Sequence, residues 1–245
     1  TRSSWVTGVQ TCALPISQQT IAVGGIDTGV GKSYCTGLLA RYLLTRFGSA
    51  STIKLVQTGC SGIAEDITLH RKLMGIALSE ADQAHLSNPY VFKLPASPAL
   101  AAAQEKQRIE EAGLDQAVAA MQARYRWLLA EAAGGLLVPL NDNLIMLDYF
   151  ARHKWPLLLV TSPRLGSINH TRLSLEAVQH RGMRLLGLAY NLYGNYEPVM
   201  VRDTLRACRR ALHDYGFPEH IVLVPDVRES GAIGWEPLVD SLTDS

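Results

Sequence analysis

A glycine-rich stretch, Gly24-Gly25-Ile26-Asp27-Thr28-Gly29-Val30-Gly31-Lys32-Ser33, follows a short apolar run and precedes an amphipathic one. Glycines at this density let successive backbone N–H groups turn inward and form a nest for an anion. A helix that begins near Lys32 adds the partial positive charge of its N-terminus. A lysine at that point reaches the β- and γ-phosphates of a nucleotide, and the serine after it offers a hydroxyl to Mg²⁺. The chemistry expected is capture of a nucleoside triphosphate, with Gly29, Val30, Gly31, Lys32, Ser33 and Tyr34 around the phosphates. The spacing departs from G-x-x-x-x-G-K-[ST]. Ile26 stands where the first glycine belongs, and the glycine lies one place earlier, at Gly25. The loop is thus one residue longer, and its competing reading is a glycine turn that caps a helix.

Such a loop needs a strand before it and a helix after it. Short apolar runs recur at Thr20–Gly25, Thr52–Gln57, Trp127–Glu131, Pro156–Thr161, Arg184–Asn191 and His220–Pro225. Most are continuously apolar rather than alternating, which is the mark of strands buried on both faces of a parallel sheet. Helical spacing appears between them. Leu38, Leu39, Tyr42, Leu43 and Phe47 mark a first helix after Lys32. Leu114, Val118, Met121, Tyr125 and Leu128 mark another across residues 112–128, and Leu205, Cys208 and Leu212 a late one. Strand alternating with helix predicts an α/β fold of the P-loop NTPase type, three-layered, with a mostly parallel central sheet and helices on both faces. Ligands of such sheets sit at the carboxyl ends of the strands.

Composition narrows the function classes. Apolar residues make up 47% and charged residues 18% of the 245, which argues against global disorder. Lysine plus arginine is 23 against 22 for aspartate plus glutamate, so no general basic surface offers itself to nucleic acid. No apolar run reaches the ~18–20 residues of a membrane span. Cys12, Cys35, Cys60 and Cys208 form no C-x-x-C pair and lie at no zinc spacing from a histidine, as expected of reduced thiols in a cytoplasmic protein. His170, His180 and the other histidines are scattered and read as surface or cap residues. Residues 1–17 lack an initiator Met, a regular period and the apolar segment of a signal peptide. They read as a non-native or disordered leader before one domain spanning residues 18–245.

The string GIDTGVGKS resembles the G-T-D-T-x-V-G-K-T loop of the dethiobiotin synthetases, and the resemblance continues in order along the chain. Lys54-Leu55-Val56-Gln57-Thr58-Gly59 resembles K-P-V-x-[ST]-G, and Glu65-Asp66 falls at the family's aspartate. Asn88-Pro89-Tyr90 with Ala96-Ser97-Pro98 resembles N-P-Y…[TA]-S-P. Glu131-Ala132-Ala133-Gly134-Gly135 with Pro139-Leu140 resembles E-G-A-G-G…P-L. Leu165-Gly166-Ser167-Ile168-Asn169-His170 resembles L-G-x-I-N-H, and Asn191 falls at a strand-end asparagine.

What the resemblance implies is an ATP-dependent ligase that joins 7,8-diaminononanoate and CO₂. One amine captures CO₂ as a carbamate, ATP phosphorylates it to a carbamic-phosphoric anhydride, and the second amine closes the cyclic urea with release of ADP and phosphate. Lys54 and Lys32 would be the catalytic cations. A carbamate and a γ-phosphate are both anions, and a fixed cation between them offsets their repulsion. Ser33, Asp66 and Glu131 would hold Mg²⁺, which takes one or two carboxylates with phosphate oxygens and water. Asp66 could instead cap the helix it opens. Ala132, Ala133 and Gly134 would approach the phosphates. Asn191, Leu192, Pro225, Asp226 and Val227 would lie about the base. Thr58 would bind the diamine, and Ser167, Ile168 and Asn169 would hold its carboxylate from the second subunit of a homodimer.

Three departures from the family pattern stand out: Leu55 for a proline, Ala132 for a glycine, and Leu192 for a polar residue. A methyl group at Ala132 would crowd a phosphate, or distort the backbone if φ there were positive. The alternatives are a degenerate paralogue that binds nucleotide without turnover, a partition-type ATPase switch, and a cobyrinate amidating synthetase. The switch would want a second lysine early in the loop, where Gly25-Ile26 has none. The synthetase would need a glutaminase domain for which this chain has no room.

Overall fold

The computed structural model describes residues 18–226 and 233–243. The leader expected at residues 1–17 and the base contact expected at Val227 lie outside the described residues. The elements are β1 (Gln19–Gly25), α1 (Lys32–Phe47), β2 (Ala50–Lys54), β3 (Val56–Thr58), α2 (Glu65–Met74), α3 (Glu80–Gln83), β4 (Tyr90–Phe92), α4 (Pro98–Gln104), α5 (Glu111–Gln122), β5 (Trp127–Glu131), β6 (Pro139–Asn141), β7 (Leu144–Ile145), α6 (Met146–Arg152), β8 (Leu157–Thr161), α7 (Ser167–His180), β9 (Leu185–Asn191), α8 (Pro198–Asp214), β10 (Ile221–Val224) and α9 (Glu236–Thr243). No helix among the described residues is long and apolar enough to cross a membrane.

Six strands form one parallel sheet in the order β10-β9-β8-β1-β5-β2. Helices cover both faces, so β5, β8 and β9 are buried along their whole length, which is why their sequences are continuously apolar. The buried side chains join into one cluster through Ile21, Leu38, Trp127, Leu158 and Leu188. Each large aliphatic side chain withdrawn from water in this way contributes about 1.5–3 kcal/mol. Because all six strands run the same way, their carboxyl ends share one edge of the sheet. Register sets the neighbours there: Lys54 lies opposite Glu131, and Glu131 opposite Val23.

Two element boundaries differ from the sequence pattern. Thr52–Gln57 reads as one strand, but the chain leaves the main sheet at Leu55. Val56–Thr58 then pairs with Tyr90–Phe92 in a separate two-stranded sheet. Leu55 is fully buried at this break, so the apolar pattern runs through it without interruption. The helix expected across residues 112–128 ends at Gln122. Leu128 belongs to β5, where burial on both faces satisfies a helical period as well as any other.

Beneath the site, a buried ionic network ties α2 and α3 to β2. Arg71 donates from Nε and Nη2 to the two carboxylate oxygens of Asp82, at 2.9 and 2.7 Å, and from Nη1 to Thr52 Oγ1 at 2.9 Å. Asp82 also accepts from Ser87 Oγ and from the amide and hydroxyl of Ser79. Burial raises the Asp82 pKa, but the Arg71 guanidinium and these hydrogen bonds outweigh it and bring it down to about 2. The stability this carboxylate confers is present above its unfolded pKa of about 3.9 and is lost as pH falls through about 2. Asp82→Asn strands Arg71 in the interior. It should cost about 3–5 kcal/mol, a Tm fall of about 6–20 °C for a chain of this size, as read by thermal unfolding at neutral pH. A Tm within 2 °C of wild type would count against the network, since ~2 °C is less than 1 kcal/mol here.

Candidate active site

The loop after β1 is built for close approach. Gly31 takes φ +95°, and a Cβ added there would lie 2.1 Å from Asn191 Nδ2, so only glycine fits between the loop and β9. Asn191 donates from Nδ2 to the carbonyl of Val30 at 3.0 Å and accepts the Tyr193 amide at 3.0 Å. Its amide therefore clamps the loop, leaving one N–H and one lone pair for other partners. On the opposite flank Asp27 pairs with Arg164, which belongs to the segment before α7.

Lys32, the first residue of α1, arches back so that Nζ donates to the carbonyl of Asp27 at 2.9 Å. Burial and the nearby Lys54 push its ammonium down to about 8, partly offset by Glu131, Asp66 and Asp27. Next to it, Ser33 Oγ donates to Glu131 Oε1 at 2.7 Å. Lys54 Nζ meets three acceptors: Asp66 Oδ2 at 2.7 Å, Glu131 Oε1 at 2.8 Å and the Ala132 carbonyl at 2.9 Å. Burial alone would lower the Lys54 pKa, but Glu131 and Asp66 reverse the direction and raise it. Burial likewise favours a neutral Glu131, yet Lys54 and His70 hold its carboxyl well below the usual carboxylate range. The edge of the sheet thus carries a charged lysine between two carboxylates, beside a second lysine at a helix N-terminus.

A cavity of about 800 Å³ opens over this edge. Gly29, Gly31, Lys32, Ser33 and Tyr34 line it from the loop and α1; Lys54, Thr58 and Asp66 from the β2–α2 region; Ala133 and Gly134 from beyond β5; Asn191 from β9; and Asp226 from beyond β10. Val30 is buried beneath the loop, with its carbonyl on Asn191. Ala132 is buried too and is absent from the positive-φ residues, so its methyl group strains no backbone. Its N–H bonds Val23 and its carbonyl bonds Lys54. Pro225 accepts the Tyr34 hydroxyl at 3.0 Å. Leu192 is half-buried and packs against the core outside the cavity lining. Ser167, Ile168 and Asn169 open α7 and do not line this cavity.

One expectation needs correction. His70 is neither a surface nor a cap residue: it is fully buried, and Nε2 lies 2.8 Å from Glu131 Oε2. The available signal was its spacing four residues after Asp66, which places both on one face of α2. Leu69 and Leu73 on that helix also reach the cavity, as do Tyr193 and Tyr196 after β9.

A family model described as an AAA domain matches residues 19–235. The ATP-dependent dethiobiotin synthetase BioD 2 of Pasteurella multocida is 43% identical over 79% of this chain and 91% of its own length. The BioD enzyme of Chlorobaculum tepidum is 44% identical over 87% of this chain and 88% of its own. This chain belongs to the dethiobiotin synthetase family. The BioD 2 protein of Haemophilus influenzae, 45% identical over 74% of this chain and 95% of its own length, agrees. A ParA structure bound to nonspecific DNA overlays at a TM-score of 0.49 with 14% identity over 93% of each chain, too loose a likeness to bear on function. Membership makes this chain an ATP-dependent ligase acting on small molecules, and sets aside the partition-type switch and the amidating synthetase as families.

Proposed function

We propose that this chain forms dethiobiotin from 7,8-diaminononanoate, CO₂ and ATP through a carbamate and a carbamic-phosphoric anhydride. The observation that carries the reading is Lys54: a buried ammonium, held at 2.7–2.8 Å between Asp66 and Glu131, on the wall of the cavity that Lys32 and the loop also line. Two negative reactants, a carbamate oxygen and the γ-phosphoryl group, must meet there. A fixed cation in a dry site lowers that barrier without reorganising at the moment of reaction. Lys32 and the inward amides of the loop bind the triphosphate and hold it in line. Thr58 lines the same cavity and in this reading orients an amine of the diamine. After phosphorylation the second amine attacks the carbamoyl carbon, phosphate leaves, and the urea ring closes.

Ser33 Oγ, Asp66 Oδ2 and Glu131 Oε1 are all oxygen donors gathered within hydrogen-bonding reach of Lys54 or of each other. Such a set fits Mg²⁺: Ser33, Asp66 and Glu131 would hold the ion, which would supply positive charge to the phosphates. Among the described residues no three His, Cys, Asp or Glu side chains form a ready-made metal cage. In this reading the ion arrives on the nucleotide and takes only a few protein ligands. In this reading, which follows the family resemblance, Ser167, Ile168 and Asn169 serve the cavity of a second copy in a homodimer; they do not line their own. The free thiols of Cys35, Cys60 and Cys208 suit a reducing cytoplasm.

The test is phosphate release by the purified protein with Mg·ATP and bicarbonate. Release should require the diamine and yield dethiobiotin in equal amount. Hydrolysis that proceeds at the same rate without the diamine would sink the assignment, as would ATP binding without any turnover, the behaviour of a degenerate paralogue.

A further inference from the structure

We propose that His70 is a positioning residue for this reaction, donating from Nε2 to Oε2 of Glu131 and so fixing Oε1 as the carboxylate oxygen that faces the cation. This rests on the cation site formed by Ser33, Asp66 and Glu131. The imidazole is fully buried and bonded at both nitrogens: Nε2 lies 2.8 Å from Glu131 Oε2 and Nδ1 lies 2.9 Å from Thr52 Oγ1. The carboxylate end of this chain fixes which ring nitrogen donates to it. Arg71 can only donate, and it gives Nη1–H to Thr52 Oγ1 at 2.9 Å. An ionised carboxylate can only accept. The ring therefore carries a hydrogen on Nε2, towards Glu131, while Thr52 Oγ1, which has taken Nη1–H of Arg71, is the partner of Nδ1.

The consequence falls on Glu131. Oε1 receives Ser33 and Lys54, on the side where the cavity opens, while Oε2 is held from behind by His70. A carboxylate on a free torsion could turn either oxygen forward or swing away; this one is tethered. Arg71 is itself gripped by Asp82, so the tether runs back to a rigid ionic anchor beneath the sheet edge. Outer-shell partners of this kind orient metal ligands, and their loss typically costs 10–100-fold in metal affinity, on the order seen across metal sites. α2 supplies both Asp66 and His70, so one helix carries a ligand and the brace of the other ligand.

The test compares His70→Gln, whose amide can stand in for Nε2–H, with His70→Asn, one methylene shorter, which can meet Thr52 but not Glu131. Mn²⁺ is titrated into each full-length protein with ADP present, and free Mn²⁺ is followed by its electron paramagnetic resonance signal, so cation affinity is read without turnover. Wild type and His70→Gln should bind Mn²⁺ alike, and His70→Asn should bind it about 10–100-fold more weakly. Metal-free ADP affinity should be the same in all three. Wild-type Mn²⁺ affinity in His70→Asn overturns the proposal. Equal weakening in both variants also overturns it, because the imidazole would then act only as packing. Should His70→Asn fail to fold, Thr52→Val replaces it: it frees Nδ1, must weaken Mn²⁺ uptake, and unchanged uptake overturns the proposal. Absence of Mn²⁺ uptake by the wild-type protein with ADP would overturn the cation site itself, separately from the role of His70.

Discussion

Lys54→Ala should lower kcat for dethiobiotin formation by about 10²–10³-fold, the cost of removing one preorganised stabiliser of developing charge. Nucleotide should still bind, because Lys32, Ser33 and the loop amides are untouched. The physical reason is position: Nζ stands on the wall of the cavity, between Asp66, which also lines it, and the fully buried Glu131. The same change strips Glu131 of one of its three hydrogen-bond donors, leaving Ser33 and His70. Breaking a buried pair costs about 3–5 kcal/mol, so the measurement must be made well below the lowered Tm. Single-turnover phosphate release, alongside equilibrium titration with a fluorescent ATP analogue, separates the two effects. Full turnover in Lys54→Ala would falsify the role given to this residue.

Lys32→Ala should act at the earlier step, weakening ATP binding by about 10–150-fold, the worth of one hydrogen bond to a charged partner of about 1.5–3 kcal/mol. Its pH dependence provides a signature. Burial and Lys54 bring the Lys32 ammonium down to about 8 in the free protein. The charged form binds phosphate, and it predominates below that value. So kcat/KM for ATP should fall as pH rises through about 8. The kcat profile should break at higher pH, since bound phosphates stabilise the ammonium. Lys32→Ala should lack the alkaline limb in kcat/KM. An unchanged nucleotide affinity in that variant would remove the loop assignment. With a folded pKa below the usual lysine value, this group also opposes folding, in full below about 8, where both forms are protonated and the folded one buries the charge. Its contribution to stability therefore rises between about 8 and the unfolded lysine value of about 10.4.

The fold was legible because parallel strands covered on both faces must be apolar throughout. β5, β8 and β9 could be placed to within a residue or so for that reason. The same property hid the boundaries. Nothing in the apolar pattern marks the exit from the main sheet at Leu55, which depends on the pairing of Val56–Thr58 with Tyr90–Phe92, a contact distant in sequence. At the site, residues at strand ends and in the loop were readable because their chemistry demands particular types. Asn191 was readable as a strand-end polar group, but not as the clamp on Val30 and Tyr193, which depends on the left-handed turn at Gly31. His70 was missed because one histidine on an amphipathic helix has no compositional signature. Its meaning appears only when Glu131, 61 residues later, is brought against it.

The Lys54 ammonium has three hydrogens and three acceptors: Asp66, Glu131 and the Ala132 carbonyl. It is saturated from within. An arriving oxyanion therefore meets a cation already fixed in place by its neighbours. A side chain engaged this completely has little freedom to turn, so its charge is aimed before any reactant enters.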